Sequence, residues 1–429
     1  MNHFQYKNGE IFAEDVPLSR IAREVGTPVY VYSAATLTRH YNAYAHAAKG
    51  AAKDLNPLIA YSVKANSNLA VLALLAKLGA GADVVSGGEL ARALRVGIAP
   101  EKIVFSGVGK TKKEMRAALS AGDGAGIYQF NVESLPELLA LSSVAVEMGK
   151  VAPVALRINP DVDAGGHEKI STGKAENKFG VDIRLAREAY NTIRDLPGVE
   201  VQGVDMHIGS QIDSLAPFEK AIDKILGLVK TLREDGHSVI TYDLGGGLGI
   251  AYDQTNNAPP LPSAYAAMVA EKFRGRDLKA IFEPGRSIAG NAGVLLTKVR
   301  YIKSGGVRTF LILDAAMNDL IRPALYGAHH DIEPVIAPQK NSEMIDYDVV
   351  GPVCETGDTF ATVRAMPKMA ENELVILRSA GAYGAVQSSE YNTRPLVPEV
   401  MVSGDKFDII RKRPSIEDIL SRENVPNWI

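Results

Sequence analysis

The sequence predicts an α/β protein built on a parallel (β/α)8 barrel of the TIM type, together with a second, all-β domain. Two observations support this prediction. Short β-branched and apolar runs alternate with amphipathic helical stretches up to about residue 290, a pattern typical of repeated βα units. Beyond that point, strand-like runs follow one another with only turns between them.

Eight candidate strands define the barrel. They lie at 58–63, 82–85, 102–106, 126–130, 153–158, 201–207, 239–243 and 279–283. Helical periodicity covers the stretches between them at 68–78, 87–96, 111–121, 133–148, 182–195 and 216–235, and several of these begin after a Ser, Thr, Asp or Asn cap. Eight βα units in roughly 250 residues match the size of a closed barrel. We therefore expect a barrel domain at 34–289.

The second domain is predicted from strand-like runs in the last third of the chain. They lie at 293–303, 307–313, 345–350, 358–366, 373–379 and 396–404. The N-terminal segment 1–33, which contains TPVYVY, has the same character. We expect it to pair with 290–429, so that the barrel is inserted into a β-barrel or sandwich-like domain. The polar, Pro-rich stretch 253–262 is predicted to be a surface loop.

Composition narrows the class of ligand. Lys and Arg total 47 against 50 for Asp and Glu, so no excess of positive charge favours a nucleic acid or an anionic membrane surface. The absence of a long apolar run and of a basic, apolar N-terminus predicts a cytoplasmic protein. The single cysteine, Cys354, excludes an intrachain disulfide. The eight histidines are scattered along the chain, which disfavours a metal site. The one adjacent pair, His329 and His330, would face opposite sides of a strand and could not bind one ion together.

Polar residues follow the predicted barrel strands at their C-terminal ends, where the active sites of such barrels lie. They are Lys64, Ser86, His207, Gly245 to Gly247, and Glu283 to Arg286. Lys64 is a candidate nucleophile, because burial would lower its pKa and leave a neutral amine able to form a Schiff base. An ion pair with a carboxylate is the alternative interpretation.

The remaining residues at this end suggest a phosphate and a heteroaromatic ring. Gly245, Gly246 and Gly247 would leave N–H groups free to bind an anion, in a position where barrels often bind phosphate, although a tight turn is the alternative. Glu283 could keep a ring nitrogen protonated, which makes the ring an electron sink, or it could form a salt bridge with Arg286. His207 could stack on the ring or serve as a hydrogen-bonded core residue.

Six motifs in order along the chain resemble the diaminopimelate decarboxylases, which belong to the alanine-racemase-like, fold type III pyridoxal-phosphate enzymes. The motifs are AYSVKAN (60–66), HIGSQ (207–211), DLGGGLG (243–249), EPGRS (283–287), CETGD (354–358) and GAYG (381–384). The resemblance implies pyridoxal 5'-phosphate as the cofactor and conversion of meso-2,6-diaminopimelate to L-lysine and CO2. It also implies a homodimer with active sites shared between the subunits.

The same resemblance implies the role of each site residue. Lys64 carries the cofactor, His207 stacks on its ring and Glu283 meets its nitrogen, while the other cofactor contacts fall on Ser210, Gly245, Gly246, Gly247, Gly285, Arg286 and Tyr383. The substrate contacts fall on Arg286, Arg322, Tyr326, Glu355 and Tyr383. Cys354 matches the proton donor contributed by the neighbouring subunit, although a buried structural cysteine is the alternative. The segment 159–180 resembles the mobile loop of the family, with Lys169 where an aromatic residue is common.

Three other functions are compatible with this fold. A basic-amino-acid decarboxylase would act on ornithine, lysine or arginine. Because these substrates carry no distal carboxylate, one of the two arginines, Arg286 or Arg322, would be left unpaired, and an unpaired charge is costly in a desolvated site. A racemase would need acid–base groups on both faces of the ring, including a tyrosine. A pyridoxal-phosphate-binding regulatory protein without turnover would not need the second domain, which carries CETGD.

Overall fold

A computed structural model describes residues 2–51, 57–165, 172–173, 178–253 and 258–429. The chain divides into two compact units: Thr38–Ala251 with Asn257–Ile288, and Met1–Leu37 with Tyr252–Asn256 and Ala289–Ile429. We call the former the barrel unit and the latter the β unit. Part of the predicted loop at 159–180, including Lys169, lies outside the described residues, as do residues 254–257 of the predicted surface loop.

The N-terminal part of the β unit begins with a three-stranded antiparallel sheet. Its strands are β1 (Phe4–Lys7), β2 (Glu10–Ala13) and β3 (Val16–Pro17). Helix α1 (Leu18–Val25) follows and buries Leu18 and Ile21, which lie three residues apart on one face. Strand β4 (Val29–Ser33) is buried along its whole length.

The barrel unit contains a closed ring of eight parallel strands. They are β5 (Leu58–Ser62), β6 (Gly81–Val84), β7 (Ile103–Phe105), β8 (Gln129–Val132), β9 (Ala152–Asn159), β11 (Val199–Asp205), β12 (Thr241–Asp243) and β13 (Lys279–Phe282). The ring closes because β13 pairs with β5 and β8 pairs with β9. The two-residue strand β10 (Val181–Asp182) pairs with β9 beside the ring. The predicted barrel is therefore confirmed.

Helices accompany these strands. They are α2 (Ala34–Ala51), α3 (Leu69–Lys77), α4 (Gly87–Arg95), α5 (Lys112–Leu119), α6 (Leu135–Glu147), α7 (Ile183–Arg194), α8 (Ala216–Glu234), α9 (Pro262–Phe273) and α10 (Arg286–Ala289). The six from α3 to α8 lie where the periodicity predicts helices, whereas α2, α9 and α10 were not among the predicted stretches. Ser86 accepts a hydrogen bond from the N–H of Glu89 and so caps α4. This contact gives Ser86, one of the polar residues at the strand ends, a structural role.

The predicted position of the fourth barrel strand is wrong by two to three residues. The sequence suggested 126–130, whereas β8 covers Gln129–Val132. Gly126 has a φ of +87°, which belongs to a turn, and the N–H of Ile127 bonds back to the carbonyl of Ala118. The apolar residues at 127–128 therefore complete the preceding connection, and the polar Asn131 lies within the strand.

The rest of the β unit is a mixed sheet. Its strands are β14 (Gly293–Ser304), β15 (Thr309–Leu313), β16 (Ile332–Pro334), β17 (Met344–Val350), β18 (Thr359–Pro367), β19 (Leu374–Leu377), β20 (Glu399–Ser403) and β21 (Lys406–Arg411), with short helices α11 (Arg322–Tyr326) and α12 (Ile416–Leu420). Strand β4 lies between β14 and β20, which confirms that the N-terminal segment pairs with this domain. Strands β16 and β21 were not predicted.

Among the described residues, none of the helices has the length and apolar character needed to cross a membrane.

Candidate active site

Lys64 follows the first barrel strand directly. A single 3-10 turn, Val63–Ala65, comes after β5, and the Nζ atom of Lys64 lies 2.8 Å from Oδ2 of Asp83. Asp83 belongs to the next strand and is fully buried. Burial raises the pKa of Asp83, but the charge of Lys64 and the hydrogen bonds from Lys64, Ser62 and Ser106 together hold that pKa below its ordinary value. The ion pair considered from the sequence is therefore present, and it fixes the amine at the C-terminal end of the barrel strands.

The glycine turn after β12 fits closely against its neighbours. Gly247 has a φ of +110°, and a Cβ atom there would lie 2.5 Å from the carbonyl oxygen of Gly209. The expectation that all three glycine N–H groups are free is wrong, because the N–H of Gly245 is donated to Asp243 and that of Gly246 to Nδ1 of His207. The turn is nevertheless a cradle that side chains would fill.

His207 is held in one tautomer by this turn. Because its Nδ1 accepts the hydrogen bond from Gly246 at 3.2 Å, the ring proton belongs on Nε2. Burial, assisted by the charge of Arg157, lowers the pKa of His207 well below its ordinary value. The carbonyl of His207 accepts hydrogen bonds from Thr172 and Arg157, and Arg157 forms an ion pair with Glu133 at 2.9 Å. The ring is therefore neutral and fixed in orientation.

Glu283 follows β13 and is only 4% exposed. Burial and the nearby Asp243 carboxyl raise the pKa of Glu283 well above its ordinary value. The side-chain amide of Asn131 donates to both carboxyls, at 3.0 Å to Asp243 and 3.5 Å to Glu283. Arg286 donates to the hydroxyl of Ser210 at 2.9 Å, which brings two predicted cofactor contacts together.

Gly285 occupies a second close-fitting position at this end of the barrel. A Cβ atom on Gly285 would lie 2.9 Å from the Cβ atoms of both Ala65 and Ser62. The backbone at Gly285 therefore lies directly against the turn that carries Lys64, and a larger residue would displace that turn.

In the β unit, helix α11 places Arg322 and Tyr326 four residues apart on one face. The NH1 atom of the buried Arg322 lies 2.8 Å from Nε2 of His330, whose Nδ1 is 2.7 Å from the carbonyl of Arg378. The guanidinium also lies over the ring of Tyr252, 4.4 Å from its centroid. These contacts hold the cation of Arg322 in one orientation.

The CETGD motif forms a loop before β18. Cys354 is exposed, so the interpretation of this residue as a buried structural cysteine is wrong. Its backbone N–H donates to the side chain of Asn392 at 3.2 Å, and the carboxylate of Glu355 accepts a hydrogen bond from Tyr391 at 2.9 Å. Side chains of the segment that follows β19 in the chain thus hold this loop in place.

Tyr383 lies in a closely packed turn, directly before Gly384. It has a φ of +54°, a backbone conformation that L residues with side chains rarely adopt. A Cβ atom on Gly384 would lie 2.6 Å from the carbonyl oxygen of Ala380. The hydroxyl of Tyr326 accepts a hydrogen bond from Gln387 at 3.3 Å, in the short turn that follows GAYG.

The predicted site residues thus form two groups. The barrel unit holds Lys64, His207, Ser210, Gly245, Gly246, Gly247, Glu283, Gly285 and Arg286, and the β unit holds Arg322, Tyr326, Cys354, Glu355 and Tyr383. Sequence reasoning missed the polar residues that surround the first group: Asp83, Asn131, Glu133, Arg157 and Asp243. Their signal was a polar residue at or near the end of an otherwise apolar strand. No cluster able to hold a metal ion occurs in the described ranges.

Comparison with known proteins agrees with this arrangement. Residues 35–290 match the family described as pyridoxal-dependent decarboxylase, pyridoxal binding domain. The chain is 50% identical over 426 residues to a diaminopimelate decarboxylase of Zymomonas mobilis subsp. mobilis, with 99% of each chain covered. It also matches the crystal structure of diaminopimelate decarboxylase from M. jannaschii in co-complex with L-lysine, with 37% identity, a TM-score of 0.93 and 100% of each chain covered.

A more distant match shows the fold alone. The lysine/ornithine decarboxylase of Vibrio vulnificus, complexed with putrescine, is 19% identical with a TM-score of 0.77, and the match covers 90% of this chain and 97% of that one. The nearer matches extend over both units. The chain therefore belongs to the pyridoxal-dependent decarboxylases and, among them, to the diaminopimelate decarboxylases.

Proposed function

We propose that this protein is a carboxy-lyase that converts meso-2,6-diaminopimelate to L-lysine and CO2, the last step of lysine biosynthesis. The observation that carries the proposal is the similarity to diaminopimelate decarboxylases over 99% of the chain. It extends through the β unit, which contributes Arg322 and Glu355. A cation and an anion are the partners that a second amino-acid centre on the substrate requires.

The barrel unit has the chemistry needed to hold pyridoxal phosphate. When bound, this cofactor supplies an electron-withdrawing ring that accepts the electron pair left by the departing carboxylate. The Nζ atom of Lys64 would hold its aldehyde carbon, and Glu283 would hold a proton on its ring nitrogen. The neutral His207 would lie against the ring. The cradle formed by Gly245 to Gly247 and Gly285, with Ser210, Arg286 and Tyr383, would receive the phosphate.

The remaining site residues would act on the substrate. Arg286 and Arg322 would bind the distal carboxylate, Glu355 would bind the distal ammonium, and Tyr326 and Tyr383 would line the same position. The carbon that loses CO2 must gain a proton, and the thiol of the exposed Cys354 would donate it. In this scheme the carboxylate leaves as CO2 and one proton takes its place.

The assembly proposed here is a homodimer in the cytoplasm. The barrel domain at 34–289 would bind the cofactor, and the segments 1–33 and 290–429 would contribute substrate and dimer contacts. Each active site would take Cys354 and Glu355 from the neighbouring subunit. A basic-amino-acid decarboxylase of the same fold is the main alternative, although its substrates lack a distal carboxylate to pair with Arg286 and Arg322.

A direct assay tests the function. The purified protein, supplied with pyridoxal phosphate, should release CO2 from meso-diaminopimelate and yield lysine in equal amount. Borohydride reduction followed by peptide mass spectrometry should place the cofactor on Lys64. Turnover of ornithine or lysine at comparable kcat/KM, or attachment of the cofactor elsewhere, would refute the proposal.

A further inference from the structure

Arg322 is a buried cation at the start of helix α11 in the β unit. Its side chain contacts two rings: the NH1 atom lies 2.8 Å from Nε2 of His330, and the guanidinium carbon lies 4.4 Å from the centroid of the Tyr252 ring. An arginine stays protonated in proteins, so both contacts are made by a cation. The two rings therefore help to determine the orientation of this cation.

Both ring nitrogens of His330 have partners that allow only one position for the ring proton. A guanidinium has N–H donors and no acceptor, so Nε2 must accept the hydrogen bond from Arg322 and carries no proton. Nδ1 lies 2.7 Å from the carbonyl oxygen of Arg378, which can only accept, so Nδ1 carries the proton and donates. His330 is therefore a neutral ring whose unprotonated nitrogen faces Arg322.

Three strands of the β unit fix the position of His330. The N–H of Arg378 donates to the carbonyl of Asp331 at 2.9 Å, directly beyond the pairing of β16 with β19. The guanidinium of Arg378 forms an ion pair with Glu333 of β16 at 2.7 Å. Arg364 of β18 donates to the backbone carbonyl of His330 at 3.2 Å. Both the backbone of His330 and the acceptor for its Nδ1 are thus held by the sheet.

Tyr252 contacts the other two side chains at once. Its ring lies edge to face with that of His330, with centroids 5.3 Å apart and planes at 82°. The same ring lies under the guanidinium of Arg322. The N–H groups of a guanidinium lie in its plane, whereas an aromatic contact is made over that plane. The hydrogen bond to His330 and the contact with Tyr252 therefore constrain Arg322 in two different directions.

We propose that His330 is a positioning residue that determines the preference for a ligand with a distal carboxylate, and that it acts through Arg322. The inference rests on the proposed function, in which Arg322 binds that carboxylate. A guanidinium binds a carboxylate most strongly when two parallel N–H groups face its two oxygens, so the strength depends on the plane and direction of the guanidinium. The hydrogen bond to Nε2 of His330 sets this direction.

A neutral acceptor suits this task better than a charged one. A carboxylate in the place of His330 would pair with Arg322 and satisfy its charge within the protein. The neutral imidazole accepts one N–H and leaves the positive charge of Arg322 uncompensated by this contact. That charge then acts on a ligand carboxylate, at a buried position where solvent screens it weakly.

Two ligands that differ only in the distal carboxylate test the proposal. Loss of CO2 from one centre of diaminopimelate leaves the distal centre intact in L-lysine. The compound 1,5-diaminopentane has the same chain and both amines but no carboxylate. Isothermal titration of each ligand into full-length protein loaded with pyridoxal phosphate gives the two dissociation constants. We expect L-lysine to bind at least about tenfold more tightly to the unsubstituted protein.

His330→Phe keeps an aromatic ring beside Tyr252 but has no acceptor for Arg322. L-lysine should bind to this variant about tenfold more weakly, whereas the affinity for 1,5-diaminopentane should change by less than about threefold. A ring that only stabilised the β unit would weaken the binding of both ligands alike. His330→Gln restores an acceptor oxygen near the position of Nε2 and should keep the preference for L-lysine within about threefold of the original.

His329→Phe is the matched control. It makes the same substitution at the adjacent histidine, which is exposed and pairs with Asp331 at 2.9 Å. This control should leave the ratio of the two dissociation constants unchanged.

NMR of protein labelled with 15N-histidine tests the proton position and does not depend on the stability of His330→Phe. The His330 signals, identified by their absence from the spectrum of His330→Gln, should show a neutral ring with its proton on Nδ1. A proton on Nε2, or an unchanged ligand ratio in His330→Phe, would overturn the inference. Failure of the proposed function would be visible separately, because the unsubstituted protein would then release no CO2 from meso-diaminopimelate.

Discussion

The Nζ atom of Lys64 and the carboxylate of Asp83 form an ion pair in which one partner is fully buried and the other is 35% exposed. The pair has two consequences. It holds the amine at the end of the first barrel strand, and it helps to keep the buried Asp83 ionised. Removal of the lysine therefore affects stability as well as chemistry.

We predict that Lys64→Ala abolishes both activity and covalent cofactor attachment and lowers the free energy of unfolding. The loss should be about 1–3 kcal/mol, less than for a fully buried pair, because solvent screens the lysine. Adding Asp83→Asn should restore much of the stability but none of the activity. Denaturant unfolding measures the stability, and absorbance spectra measure the cofactor attachment. A borohydride-reducible adduct in Lys64→Ala would contradict the assignment of Lys64.

Glu283→Gln should separate cofactor binding from turnover. The phosphate cradle and Lys64 are unchanged in this variant, so most of the cofactor affinity should remain. The neutral amide cannot keep the ring nitrogen protonated, and kcat should fall by at least a factor of about 100. Cofactor titration and steady-state kinetics measure the two quantities. An unchanged kcat would show that Glu283 has only a structural role.

The polar interior of the barrel shows where sequence reasoning succeeds and where it stops. The strand pattern predicted the barrel, and local motifs predicted Lys64 and Glu283. Asn131 and Asp243 are 112 residues apart in the chain, and only closure of the barrel brings them together. Neither has a local motif that relates it to the other, so their hydrogen bond could not be predicted. The displaced fourth strand has a related cause, because an inward-facing asparagine interrupts its apolar pattern.

The stability of the cofactor-free protein should depend on pH through Asp243. Folding raises the pKa of Asp243 from 3.8 to about 6. The contribution of this carboxyl to the free energy of unfolding is therefore fully present below about pH 4 and is lost as the pH rises through about 6. Two pKa units correspond to ~3 kcal/mol. The difference in unfolding free energy between unsubstituted protein and Asp243→Asn should therefore shift by up to this amount, in favour of the variant, between pH 4 and 7. A pH-independent difference in urea unfolding would contradict this expectation.

Subunit mixing tests whether the active site is shared. If Cys354 acts on the cofactor of the neighbouring subunit, inactive Lys64→Ala and inactive Cys354→Ala chains should form mixed dimers with one complete site. Equimolar mixing should then recover up to about one quarter of the original activity, since half of the dimers are mixed and each has one complete site of two. Mass spectrometry of the intact dimer verifies exchange. Without recovery after exchange, Cys354 would act in the site of its own chain.

Substrate specificity should depend on Arg322, because it is 5% exposed and held by His330 and Tyr252. We predict that meso-diaminopimelate is preferred over lysine and ornithine by about a hundredfold or more in kcat/KM, since each lost charge-assisted contact costs roughly 1–3 kcal/mol. Arg322→Met should reduce kcat/KM for diaminopimelate far more than any residual activity on lysine. Arg308→Met, at an arginine of the same unit that pairs with Asp348 at 2.7 Å, should leave this preference unchanged. Equal losses for both substrates in Arg322→Met would mean that Arg322 supports the fold of the β unit rather than the distal carboxylate.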